Sequence, residues 1–231
     1  MPNSGRPRVA IVDYGMGNLF SVKHACEHVH MDAVITASKD EILNASAVVL
    51  PGVGAFGDAM ATLRKQDLVS VLHDVVASGK PFVGICLGMQ LLMTESHEFG
   101  SHRGLGFVEG EVLRLDDNLA GERHLKVPHV GWNRIYRQGV ETDKTVAQWA
   151  DSMMEPVANG SFMYFVHSYY TLPADQNIIL SHTRFGALEF CSSFRKGSIF
   201  ACQFHPERSG PAGLKIYEKL VAAANLVECN D

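Results

Sequence analysis

The chain has 231 residues, of which 46% are hydrophobic and 19% charged, with a formal net charge of −5 and five cysteines. A chain of this length buries roughly 70–75% of its unfolded surface and needs no staples. An odd cysteine count with no Cys-x-x-Cys pair argues against a disulfide framework or zinc site and for a reducing, cytoplasmic compartment. The mild negative charge leaves no electrostatic footprint for nucleic acid, and the opening MPNSGRPR lacks the apolar core of a signal peptide. Apolar stretches such as 47–60 are broken by Pro51 and several glycines, which argues against a membrane span.

Taken in chain order, Arg8–Asp13 (RVAIVD) reads as a buried strand. Asn18 can cap a helix whose apolar face carries Leu19, Val22, Cys26 and Val29, which makes Cys26 a core residue. Ala47–Leu50 (AVVL) reads as another strand, Leu63–Ser78 as a helix, and Pro81–Ile85 as the strand feeding a sharp turn. Alternation of this kind implies an α/β fold, with parallel strands covered by helices on both faces. From Leu105 to about Gln203 the texture changes to β-rich runs separated by the turn pairs Asn159-Gly160 and Lys196-Gly197. These are expected to form antiparallel hairpins added to the sheet. Cys191 and Cys202 fall inside such strands and read as structural. A closing helix carries Leu214, Tyr217, Val221 and Ala224 at helical spacing, a core-facing stripe; Cys229 lies in a polar tail and is not expected to act.

Three stretches carry chemistry. Gly52-Val53-Gly54-Ala55-Phe56-Gly57 fits the dinucleotide-binding pattern G-x-G-x-x-G. Its strand is not the first of the fold, however, and carboxylates some 20 residues on, such as Asp74, lie within a helix, so no dinucleotide is expected. In Gly84-Ile85-Cys86-Leu87-Gly88 a cysteine sits between glycines at a strand-to-helix turn, the geometry that lifts a nucleophile out of a sheet. Unpaired N–H groups at the start of the following helix would favour its thiolate. Most free cysteines are simply small buried hydrophobes, but Gln203-Phe204-His205-Pro206-Glu207 supplies what such a nucleophile needs. In extended chain, positions i and i+2 project to one side, so Glu207 can hold one ring nitrogen of His205 while the other faces Cys86. His129 and His167 are alternative bases, but neither has a carboxylate two residues away, and both rank as structural or close to substrate.

GICLGMQ and QFHPE resemble the nucleophile and histidine motifs of class I glutamine amidotransferases. LPGVGAFGDAM (50–60), VPHVGWN (127–133) and YFVHSY (164–169) narrow the resemblance to the glutaminase subunits of imidazole glycerol phosphate synthases, of histidine biosynthesis. It runs from about Val9 to about Leu226, which makes residues 1–231 a single flavodoxin-like glutaminase domain. The resemblance implies hydrolysis of glutamine through a γ-glutamyl thioester by Cys86, His205 and Glu207. It assigns the oxyanion to backbone N–H groups of Leu87 and of Gly52 or Val53, and glutamine binding to Gly52, Gln90, Ser168 and Tyr169. It implies no cofactor and no metal. It also implies a (β/α)8 barrel cyclase, paired 1:1, that uses the ammonia to form imidazole glycerol phosphate and aminoimidazole carboxamide ribotide, with Trp132 and Tyr164 near the contact. Without the family, the same two aromatics read as core.

Other readings stay open at this point. A related glutaminase serves surface-sugar biosynthesis; the pyridoxal phosphate synthase type carries G-G-E-S, and the carbamoyl phosphate and anthranilate types usually P-G-P-G, where this chain has Pro51-Gly52-Val53-Gly54. A cysteine peptidase or thiol esterase could use the same triad. A regulatory, nucleotide-binding subunit would not need Cys86, His205 and Glu207 intact.

Overall fold

The computed structural model describes residues 5–115, 126–137 and 149–228, so Cys229 lies outside the described residues. The first half is strand and helix in alternation: β1 (Arg8–Val12), α1 (Leu19–His28), β2 (Asp32–Thr36), α2 (Lys39–Leu43), β3 (Ala47–Gly52), α3 (Phe56–Lys65), α4 (Leu68–Ala77), β4 (Phe82–Cys86) and α5 (Leu87–Leu91). The second half is mostly strand: β5 (Met93–Ser96), β6 (His102–Arg103), β7 (Val108–Arg114), β8 (His129–Arg134), β9 (Tyr136–Arg137), β10 (Phe162–His167), β11 (Tyr169–Pro173), β12 (Ile179–Phe185), β13 (Leu188–Lys196) and β14 (Ile199–Cys202), closed by α6 (Gly210–Glu228).

Among the described residues twelve strands form one sheet, in the order β2-β1-β3-β4-β14-β13-β11-β7-β5-β6, with β12 on β13 and β9 on β12. The run β2-β1-β3-β4-β14 is parallel throughout, and β13 and β11 add to it antiparallel. Strand periodicity divides the core. Ala10 and Val12 point to one face, against α2, α3 and α4, whereas Val9 and Ile11 point to the other, against α1 and α6. Both faces are therefore covered, which is why these strands read as continuous apolar runs.

Three expectations need correction. Leu63–Ser78 is not one helix: Asp67 adopts a left-handed φ of 52° and separates α3 from α4. The Lys196-Gly197 pair does turn an antiparallel hairpin, β13 to β14, with Gly197 at φ 58°. Asn159-Gly160 does not add a hairpin to the main sheet. It leads into β10, which pairs antiparallel with β8 as a separate two-stranded ribbon, His129 opposite His167 and Trp132 opposite Tyr164. Finally, Asn18 stands at the start of α1 but makes no side-chain capping bond.

Candidate active site

The site lies at the carboxyl ends of β3, β4 and β14, where open parallel sheets bind ligands. Cys86 ends β4 with φ 54° and ψ −111°, a positive φ that non-glycine residues rarely adopt, and α5 begins at the next residue. Such a bend needs glycine neighbours. A Cβ on Gly88 would fall 1.8 Å from the Leu50 carbonyl oxygen, and one on Gly84 would crowd the Gly88 carbonyl and the Met89 nitrogen at 3.1 Å. Gly52, opposite Cys86 in the β3–β4 ladder, is equally tight: its Cβ would lie 2.1 Å from the Tyr14 hydroxyl. That hydroxyl donates to the Pro51 carbonyl at 2.8 Å, anchoring the base of the glycine loop.

His205 follows β14 and its Nδ1 lies 2.7 Å from Glu207 Oε1, with both side chains almost wholly buried. The pair forms as the sequence implies, by a different route. Pro206–Arg208 is a 3-10 turn with His205 at its cap, so the turn and not strand periodicity brings the two together. Burial pushes His205 down, but the nearby Cys86 sulfur and the hydrogen-bonded Glu207 carboxylate outweigh it and hold the imidazole at about 10. Nε2 of His205 is buried and makes no hydrogen bond of ordinary geometry, and the Cys86 sulfur is its charged neighbour.

Among the described residues all four cysteines are buried, and Cys86 is the one that lines a cleft; burial pushes the thiols of Cys26, Cys191 and Cys202 up, to about 12 for Cys26 and Cys191. The cleft measures about 260 Å³ and is lined by Val53, Cys86, Leu87, Gln90, Ser168 and Tyr169, all singled out from the sequence. Gln90 is buried and its amide donates to the Tyr169 carbonyl at 2.9 Å and to Gln203 Oε1 at 3.0 Å, while the Gln203 amide approaches Cys86 Sγ at 3.6 Å. Trp132 and Tyr164 lie outside the cleft on the β8–β10 ribbon, in edge-to-face contact at 6.0 Å; Trp132 is 56% exposed and so is not core.

Sequence reasoning missed Glu98 and Gln203. Glu98 lines the cleft, is largely buried, and accepts from the backbone N–H of Phe56 at the start of α3. Burial raises its pKa, against the opposing pull of that N–H. Its segment, Thr94-Glu95-Ser96-His97-Glu98, is polar without period, so nothing local separates the cleft carboxylate from Glu95. A larger groove of about 350 Å³ lies at the amino ends of β4 and β14, but its cations are engaged, Arg195 with the Asp151 carbonyl and Lys219 with Glu155. Among the described residues no cluster of side chains is arranged to hold a metal ion, and no helix is long and apolar enough to cross a membrane.

A cysteine elbow beside a carboxylate-held histidine, on a sheet of flavodoxin order, defines a class of protein: residues 10–223 match the family described as glutamine amidotransferase class-I. The fold agrees with solved structures, among them a glutamine amidotransferase and PurLQS from Thermotoga maritima. Each has a TM-score of 0.67 at 17% identity, over 94% of this chain and 98% of the other. The sequence is 44% identical to imidazole glycerol phosphate synthase subunit HisH of Geobacter sulfurreducens, over 90% of this chain and 95% of that one. It is 42% identical to the subunit of the same name from Aquifex aeolicus, over 91% and 94%. The chain belongs to the HisH family of class-I glutamine amidotransferases.

Proposed function

We propose that the chain is the glutaminase subunit of a cytoplasmic imidazole glycerol phosphate synthase, built as one domain over about residues 9–226. The observation that carries this reading is a cleft-facing Cys86 on a strained elbow beside the buried His205–Glu207 pair, in a chain 44% identical to a HisH subunit. The Cys86 thiolate attacks the side-chain amide carbon of glutamine. Backbone N–H groups of Leu87 and of Val53 or Gly52 hold the oxyanion; each such donor is worth about 2.7–4 kcal/mol in systems where it has been removed. His205 enters as imidazolium, in keeping with its raised pKa, and protonates the departing ammonia. The γ-glutamyl thioester is then hydrolysed by water that the now neutral His205 deprotonates, with Glu207 fixing the ring tautomer. Gly52, Gln90, Ser168 and Tyr169 bind the amino acid, and the Glu98 carboxylate faces its α-ammonium group.

Ammonia released into water at neutral pH is mostly protonated and no longer nucleophilic, so the cleft needs a synthase closed over it. A (β/α)8 barrel cyclase, in a 1:1 pair, fits the exposed apolar face of the ribbon at Val130, Trp132 and Phe162. The glycine loop is the natural gate, since the Gly52-Val53 peptide can turn its N–H toward or away from the oxyanion at small steric cost. The test is glutamine turnover by the purified chain with and without the barrel and its nucleotide, beside peptide and ester substrates. Weak turnover alone and about 100-fold activation, equivalent to about 2.7 kcal/mol of preference for the active loop, is the expected result. Full activity of the chain alone overturns the gating. Ester or peptide turnover without glutamine turnover overturns the function.

A further inference from the structure

The inner face of the β8–β10 ribbon carries a chain of side chains that ends on the backbone of the cleft. His129 and His167 are buried cross-strand partners, and His129 Nδ1 meets His167 Nε2 at 3.0 Å. The other nitrogen of His167, Nδ1, lies 2.9 Å from the Tyr169 carbonyl oxygen. A carbonyl can only accept, so Nδ1 carries a proton. Burial lowers both rings, to about 4 for His129 and about 3 for His167, where the neighbouring His129 adds to the effect. Both are therefore neutral near pH 7, and His167 Nε2 must accept the Nδ1–H of His129. That leaves His129 Nε2 as an acceptor, and the Asn133 amide donates to it at 3.2 Å. Asn133 is fixed in turn: its amide also donates to the Arg184 carbonyl at 2.9 Å, and its oxygen accepts from the Arg134 N–H at 2.8 Å. Each proton position from Asn133 through His129 and His167 to Tyr169 is thus set by its neighbour. Phe165 stacks on the His129 ring at 4.9 Å, and Phe190 meets His167 edge-on at 5.1 Å, which holds the ring planes.

The end of this chain is shared with the cleft. The Tyr169 carbonyl accepts from both His167 and Gln90, and the His167 bond spans Ser168, the residue between β10 and β11. His167 itself lines the cleft, but both of its ring nitrogens are engaged within the protein.

We propose that His129 and His167 are positioning residues for glutamine: through the directed chain from Asn133 they fix the Tyr169 carbonyl, and with it Ser168 and Gln90, in the arrangement that binds the amino acid. The proposal rests on reading the cleft as a glutamine site. Its signature is a split, with glutamine affinity lost while the reactivity of the Cys86 thiol stays.

The test uses the full chain and two replacements with the same branched side-chain skeleton, His129→Leu and His129→Asn. Asparagine places an amide donor near the position of Nδ1, and leucine places none. Glutamine affinity is measured by calorimetry in a Cys86→Ala background, and the alkylation rate of Cys86 by iodoacetamide is measured with the cysteine intact. The expected result is at least about tenfold weaker glutamine binding with leucine, the scale of one lost buried hydrogen-bond partner, and near-parental binding with asparagine. Alkylation should stay within about twofold in both. Equal affinity in all three proteins, or equal loss with leucine and asparagine, overturns the positioning role. If the leucine chain does not unfold cooperatively, His129→Gln takes its place, since glutamine puts its amide at the Nε2 position and not at Nδ1. Failure of the Cys86→Ala parent to bind glutamine takes down the reading of the cleft and this proposal with it, before any histidine is changed.

Discussion

Two histidine environments meet at one cleft and were built in opposite ways. His205 is buried beside a carboxylate and a sulfur, and the charges reverse what burial would do, leaving it cationic at neutral pH. His129 and His167 are buried among aromatic rings and amide dipoles, which cannot offset the loss of water, so they stay neutral. The lesson is that burial fixes whether a histidine is committed and its partners fix to which state. A charged partner makes a proton donor, and neutral partners make a relay of fixed tautomers.

The largest effect should come from removing the sulfur on the charged side. Cys86→Ala is expected to lower glutamine hydrolysis by about 10⁴-fold or more, yet to leave ammonia-dependent synthesis intact in the assembled complex. Glutamate release and product formation from ammonium salts at high pH check it, and undiminished glutamine hydrolysis in the folded variant would remove the mechanism. Next, Glu207→Gln keeps the shape of the pair and takes away its charge. Turnover should fall by about 10³- to 10⁴-fold. The imidazolium of His205 contributes stability that is present below about pH 6.5 and lost as pH rises through about 10. Without the carboxylate the folded imidazolium is held less firmly, so that loss should be smaller and end at lower pH, and unfolding midpoints between pH 7 and 10 would show it. An unchanged alkaline profile would mean that Glu207 does not hold the ring.

The charged side was far more legible in the sequence than the neutral one. Gly84, Cys86 and Gly88 lie within five residues, and His205 and Glu207 within three, so local spacing carries the site even though the 3-10 turn that joins the latter pair was read as a strand. The inner parallel strands were legible for a related reason: being covered on both faces, they are unbroken apolar runs, whereas the edge strand β2, half-exposed and opening on Asp32, was not read. His129 and His167 are 38 positions apart and meet only because β8 pairs with β10 away from the main sheet, a register that no local pattern encodes. The break at Asp67 was missed because neither glycine nor proline marks it. Glu98 was missed because its cleft position depends on a bond to Phe56, 42 residues away.

The neutral side makes its own prediction. Below about pH 6.5 the unfolded chain takes up protons that folded His129 and His167 refuse, so stability should fall as pH drops toward 4. For His129 alone the loss at pH 5 is on the order of 2 kcal/mol. His129→Asn has no ring to protonate, so its urea midpoint should change less between pH 7.5 and 5 than that of the parent chain. Parallel shifts in the two proteins would show that His129 is not held neutral.

The smallest effect on the isolated chain should come from the ribbon's other face. Strand alternation turns His129 and Asn133 inward and Val130 and Trp132 outward, and in β10 Phe165 and His167 inward and Phe162 outward. The outward residues leave large apolar surface in water: Val130 and Trp132 are 56% exposed and Phe162 is 48% exposed. Trp132 also packs edge-to-face on Tyr164, whose ring carries the Arg208 guanidinium at 4.5 Å, so the indole is held in place before any partner arrives. A pre-placed, exposed tryptophan is the kind of side chain that dominates association energy, because little conformational entropy is lost when it is covered. Trp132→Ala should therefore cost the isolated fold no more than about 1 kcal/mol, the scale of one aromatic pair. Its affinity for the proposed barrel partner should fall by about 30-fold, equivalent to about 2 kcal/mol. Leu226→Ala, which removes an exposed residue beside the groove at the opposite end of β4 and β14, serves as the control and should leave affinity unchanged. Titration of each variant against the barrel subunit decides the matter. Equal affinity for Trp132→Ala and the parent would move the docking face away from the ribbon and leave the inward histidines with a role confined to the cleft.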